Sequence, residues 1–273
     1  MNLVDWKQEA AVHGAHTTTT GHVQVIEAFP IPQLRTHRRI WVYLPPDYAT
    51  SGKRYPVLYM HDGQNLFDAA TSYVGEWKVD KLLDELFFGQ RLPGLIVVGI
   101  DNGAERRFDE YIPARKGRAY ARFVANHLKP FIDRQFRTCR EREHTGVAGS
   151  SLGGLISLYI GNRYSDRFAK VGAFSPAMRF AGSEFRSIVK SRDMKIYLDV
   201  GTKETLTYME ARRYADAVWH TYYDYVCAGY GDDELKLVVD KDAPHHEDAW
   251  SKRFQSAVLW LYGNEPIRTE GTT

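Results

Sequence analysis

Hydrophobic positions recur along this chain with two periods. Short β-branched and aromatic runs predict strands at His22–Phe29, Arg38–Leu44, Tyr55–His61, Leu95–Ile100, Thr145–Ala148, Ala169–Phe174, Lys195–Val200 and Leu235–Val239. Between the later runs, apolar residues recur at helical spacing and predict helices at Trp77–Phe88, Tyr120–Phe136, Leu152–Tyr164, Thr205–Tyr225 and Glu247–Tyr262. In Tyr120–Phe136 the stripe is Phe123, Val124, His127, Leu128, Phe131 and Ile132, and Pro130 predicts a kink or break within it. The Thr17–Thr20 run reads as part of a strand, and residues 1–21 as an N-terminal extension.

The first strands follow one another without a helix, so the sheet should start antiparallel. From Tyr55 onward strand and helix alternate, which implies parallel strands, right-handed crossovers and helices on both faces. No Pro/Gly/Ser-rich linker divides the chain, so residues 1–273 read as a single α/β domain. The segment from Ser175 to Met194 is too short for a separate cap domain.

Composition narrows the function classes. The formal net charge is only +2, with no block of like charge, so nothing favours a nucleic acid or an anionic membrane as partner. The cysteines, Cys139 and Cys227, form no CxxC pattern, and a reducing compartment fits them better than a disulfide framework. No basic segment followed by an apolar run opens the chain, and the expectation is a cytoplasmic protein. Oligomeric state is left open, a homo-oligomer included. No HExxH pattern, Walker-type loop or GxGxxG after a strand occurs, so neither a metal nor a cofactor is expected.

In parallel sheets, sites form where strands end at their carboxyl edge. After Thr145–Ala148 comes Gly149-Ser150-Ser151-Leu152-Gly153-Gly154, a G-x-S-x-G frame that only Ser151 satisfies. A nucleophile held on a sharp strand-to-helix turn needs small neighbours on either side, and the helix N-terminus favours negative charge beside it. The strand Lys195–Val200 leads into Glu204, the preferred acid, with Asp199 as alternative because it still lies within the strand. The last strand leads to His245 and His246; His245 is the preferred base, because His246 more readily joins the following helix. The order Ser151, Glu204, His245 is the nucleophile–acid–base order of α/β-hydrolases. The turn His61-Asp62-Gly63-Gln64-Asn65 after an early strand offers the backbone N–H of Gln64, which with that of Leu152 would form an oxyanion hole.

Taken together, Gly149–Gly154, the His61–Asn65 turn, the Asp199-x-Gly-x-x-Glu204 strand exit and His245-x-Glu247 resemble the Putative esterase family of α/β-hydrolases, from about Arg38 to Leu261. That family includes siderophore, feruloyl and esterase D-like esterases as well as mycolyltransferases. The resemblance implies Ser151 as nucleophile, His245 as base, Glu204 as acid (esterase D-like members carry aspartate there) and Gln64 and Leu152 as oxyanion donors. It also places Arg106–Pro113 near the site. The loop Gly103–Gly117 is expected to form one wall, with Arg106, Arg107 and Tyr111 as candidate substrate contacts, and Asp62 in its own turn reads as a contact or a loop stabiliser. The implied activity is hydrolysis of a small-molecule carboxylic ester. Acyl transfer, thioester hydrolysis and a non-catalytic binding role are the alternatives.

Overall fold

The computed structural model describes residues 1–185 and 188–263. Its centre is a sheet in the order β1-β2-β3-β5-β4-β6-β7-β8-β9. The strands are β1 (Val4–Asp5), β2 (His22–Ile31), β3 (Thr36–Leu44), β4 (Val57–His61), β5 (Ile96–Ile100), β6 (Thr145–Ser150), β7 (Lys170–Phe174), β8 (Lys195–Lys203) and β9 (Leu235–Pro244). The pairs β1–β2, β2–β3 and β3–β5 are antiparallel, and every pairing from β4 to β9 is parallel, as the succession of elements predicted.

Strand alternation sends side chains to two cores. From β4, Val57 and Tyr59 enter one and Leu58 and Met60 the other; from β8, Ile196, Leu198 and Val200 oppose Tyr197. The helices α1 (Trp6–Val12), α2 (Val79–Phe88) and α8 (Glu247–Tyr262) cover one face; the other face carries α6 (Leu152–Arg163), α7 (Tyr208–Cys227) and the segment from Arg107 to Gln135. Each fully buried aliphatic or aromatic side chain in these layers contributes about 1.5–3 kcal/mol.

Three expectations change on contact with the structure. Residues 1–21 are built into the fold: β1 pairs with β2, and buried Trp6 meets Trp41 edge-on at 4.7 Å. Thr17–Thr20 form no strand, because their polar groups are taken by carboxylates: Thr17, Thr18 and Thr19 bond Asp68, and the N–H of Thr20 donates to Asp80. Pro130 breaks nothing. The helix from Arg107 comes in pieces, α3 (Arg107–Tyr111), α4 (Arg118–Phe123) and α5 (Lys129–Gln135), and a wide π-type turn over Val124–Leu128 joins the last two. That turn lets the proline enter at the start of α5, where its missing N–H and its ring are tolerated. No disulfide joins buried Cys139 to exposed Cys227. Among the described residues, no helix is long and apolar enough to cross a membrane.

Candidate active site

Ser151 stands between the end of β6 and the first residue of α6 with φ 57° and ψ −120°, a conformation that L-residues rarely adopt. Such backbone costs on the order of 1–3 kcal/mol and persists only where its surroundings enforce it. Here the Ser151 N–H donates to Phe174 O and its carbonyl accepts from Leu155 and Ala177. A Cβ on Gly149 would lie 2.9 Å from the backbone of Gly153, so only glycine passes at that neighbour of the turn. No side chain caps α6, so its first N–H groups, beginning with Leu152, are left to whatever occupies the space before them. By contrast, Thr207 caps α7 and His246 caps α8.

The strand exits bring a carboxylate and an imidazole together. β8 ends at Lys203, β9 at Pro244, and Nδ1 of His245 lies 2.5 Å from Oε2 of Glu204. The other oxygen of Glu204 accepts from Gly201 N–H at 2.5 Å and from the Ser175 hydroxyl at 2.6 Å. Tyr214 and Trp250 flank the His245 ring edge-on, with centroids at 5.4 and 4.8 Å. The two alternatives are engaged elsewhere. Asp199 is wholly buried and pairs with Arg253 at 2.9 Å, and the ring of His246 accepts from Asp248 N–H as the cap of α8.

On the far side of Ser151, Asp62 holds a left-handed φ of 57° at the head of the Gly63–Asn65 turn. A Cβ on Gly63 would meet Ile100 N at 2.7 Å, so the turn can lie directly on β5 only with glycine there. The Asp62 carboxylate takes the Arg107 guanidinium as a fork, at 2.7 and 2.9 Å, and Asn102 Nδ2 at 2.7 Å. Burial alone would raise its pKa, but Arg107 and Asn102 outweigh that and hold it below the usual carboxylate range. His61 beneath it is buried, with Nδ1 2.8 Å from the Tyr120 hydroxyl, and burial pushes its pKa down to about 3. The Gln64 side chain accepts from Asn102 N–H at 3.2 Å.

Ser151, His245, Gln64 and Asp62 line one cleft of about 830 Å³, together with Arg107, Glu247 and Trp250. Leu152 begins the helix behind it. Among the described residues there is no direct Ser151–His245 hydrogen bond. The Tyr214 phenol donates to Ser175 O at 2.7 Å. Two expected substrate contacts need correction. Arg106 turns outward to Glu110 and Thr36, because its position on the short turn before α3 faces away from the cleft. Tyr111 is completely buried, and its hydroxyl accepts from Asp62 N–H at 3.3 Å, so it supports the turn from below. Of the three expected contacts Arg106, Arg107 and Tyr111, it is Arg107 that lines the cleft, beside Ala104 and Glu105.

Sequence reasoning passed over Ser175, Tyr214 and Trp250. Ser175 directly follows β7, so the strand-exit argument applied to Glu204 would have found it. Tyr214 and Trp250 lie on helices whose amphipathic pattern gives no separate signal.

The profile of the Putative esterase family matches residues 31–261. The protein YbbA of Bacillus subtilis, described as uncharacterized, is 30% identical over 244 residues, 83% of this chain and 93% of its own. The structure of a ferulic acid esterase superposes with a TM-score of 0.69 at 20% identity, over 88% of this chain and 97% of that one. An IroE-like serine hydrolase from Shewanella oneidensis does so with a TM-score of 0.70 at 17% identity, over 90% and 82%. These likenesses identify the sheet and its crossovers as an α/β-hydrolase fold.

Proposed function

The chain belongs to the Putative esterase family and is a carboxylic-ester hydrolase, and from that premise we propose that Ser151, His245 and Glu204 are its catalytic triad, with the N–H groups of Leu152 and Gln64 as the oxyanion hole. The observation that carries this reading is the strained turn at Ser151, opening onto an uncapped helix, in the same cleft as an imidazole whose Nδ1 lies on a buried carboxylate.

With its Nδ1 proton on Glu204, His245 presents a basic Nε2. A rotamer change brings the Ser151 hydroxyl to that nitrogen, in keeping with the loose catalytic hydrogen bonds of ligand-free hydrolases. Ser151 Oγ attacks the ester carbonyl, His245 takes its proton and passes it to the leaving alkoxide, and Glu204 balances the imidazolium. The tetrahedral oxyanion is met by Leu152 and Gln64 N–H. Water then repeats the attack on the acyl-enzyme. The cleft carries Asp101, Glu105 and Glu247 against a guanidinium already committed to Asp62, which favours a neutral ester over an anionic one.

Replacing Ser151 by alanine should lower kcat/KM on p-nitrophenyl acetate by about 10³-fold or more with thermal stability retained, since triad members act as a unit. A fluorophosphonate should label the Ser151 peptide of the wild type. Wild-type turnover by Ser151→Ala, or a label on Ser150, would refute the assignment.

A further inference from the structure

We infer that Ser175 is a positioning residue: its hydroxyl, able to donate in one direction only, aims Glu204 at His245. The inference rests on the triad reading above. Ser175 lies at the carboxyl end of β7, is completely buried and holds a left-handed φ of 42°.

The direction follows from its partners. The hydroxyl oxygen receives Trp250 Nε1–H at 3.0 Å and Arg253 Nη2–H at 3.1 Å. Indole and guanidinium are donors only, so both lone pairs of Ser175 Oγ are filled and its single proton has one destination. That destination is Oε1 of Glu204, at 2.6 Å. With Gly201 N–H on the same oxygen, Oε2 is left to face His245. The backbone of Ser175 is tied as firmly: its N–H donates to Asp199 Oδ1 at 2.9 Å, and its carbonyl accepts from Tyr214 at 2.7 Å. Trp250 thus touches both ends of the pair, bonding the serine through its indole N–H and packing its ring against His245.

The positive φ supplies a clean test, because glycine adopts it without strain. Ser175→Gly removes the hydroxyl while easing the backbone, and Ser175→Ala is the second variant, keeping the Cβ. On p-nitrophenyl acetate with the full chain, both should lose about tenfold to a hundredfold in kcat, the worth of one hydrogen bond to a charged group. KM should stay within about twofold, as expected when an interaction acts in the transition state. Without this donor the Glu204 charge is met more exclusively by the imidazolium, so the acid limb of the kcat/KM profile should move to higher pH. Of the other ionisable groups around the pair, Asp199 on β8, Arg253 and Glu247 on α8, its cap His246, and Tyr214 on α7, only Arg253 loses a contact, its Nη2–H to the serine, and it keeps its pairing with Asp199. A folded Ser175→Gly protein whose acid limb stays in place overturns the inference, whatever its kcat. The two readings fail separately: an active Ser151→Ala protein sinks the triad, whereas an inactive one beside an unmoved Ser175→Gly profile sinks only the role of Ser175.

Discussion

Each flank of Ser151 carries a carboxylate and a histidine, and the two flanks use them in opposite ways. On one, Asp62 is locked in a fork with Arg107, while adjacent His61 is buried, bonded to Tyr120 and kept from its proton. On the other, Glu204 meets a hydroxyl, a peptide N–H and the partly exposed imidazole of His245. Asp62 therefore has its charge permanently neutralised, because guanidinium does not deprotonate. The charge of Glu204 is left for a group that can gain and lose a proton. The same two kinds of group, a carboxylate and an imidazole, build a wall in one place and, in our reading, run a reaction in the other; the difference lies in whether the carboxylate's principal partner is a fixed cation.

The sharpest way to break this contrast is to neutralise each buried carboxylate of β8 and its exit in turn. Glu204→Gln should cost about 10³–10⁴-fold in kcat, since the imidazole loses its tautomer and its counter-charge, with little change in stability. Asp199→Asn should do the reverse. It leaves Arg253 with a weakened partner in a site where its side chain is about 5% exposed, and breaking a buried pair costs about 3–5 kcal/mol. Urea unfolding and kcat measured on both variants decide the matter. A larger loss of kcat at Asp199 would exchange the roles.

How legible this was in the sequence depends on what each feature rests on. Strand alternation, the change from antiparallel to parallel and the Ser151 frame are local patterns, and the structure has them where the pattern put them. Glu204 and His245 followed from a rule about strand exits. The fate of Thr17–Thr20 did not, because Asp68 and Asp80, which capture those residues, lie far along the chain. The choice between Arg106 and Arg107 was equally hidden: consecutive helical residues point about 100° apart, and only the position of Asp62 selects one of them. Ser175 was within reach of the same strand-exit rule, but the donors that surround it, Trp250 and Arg253, lie far along the chain and left no mark beside it.

The fixed flank can be tested by removing its cation. Arg107→Ala strips Asp62 of its fork and leaves a buried carboxylate with Asn102 alone. A loss of about 3 kcal/mol in stability is expected, together with a lower kcat as the Gly63–Asn65 turn loosens beside the elbow. Arg107→Lys should recover only part of both, because an ammonium cannot form the two-pronged contact. Full recovery by lysine in urea melts and turnover would mean that charge alone, without geometry, holds the turn.

The smallest expected effect separates the two histidines by pH. The pKa of His61 is pushed down to about 3 by burial, from an ordinary 6.5. Between those values the unfolded chain binds a proton that the folded chain refuses, so this residue makes stability fall as pH drops below 6.5 and has no effect above it. From pH 7 to 5 its share is about 2 kcal/mol. Asp101 and Asp199, both pushed up to about 6 by burial, act in the opposite sense over part of this range. The informative quantity is therefore the difference between wild type and His61→Phe, a variant that keeps an aromatic ring beside Tyr111 and Tyr120. Its urea midpoint should fall less than that of the wild type on going from pH 7 to 5. Equal falls would mean that His61 takes up its proton in the folded state, and the two flanks would then differ less than their geometry implies.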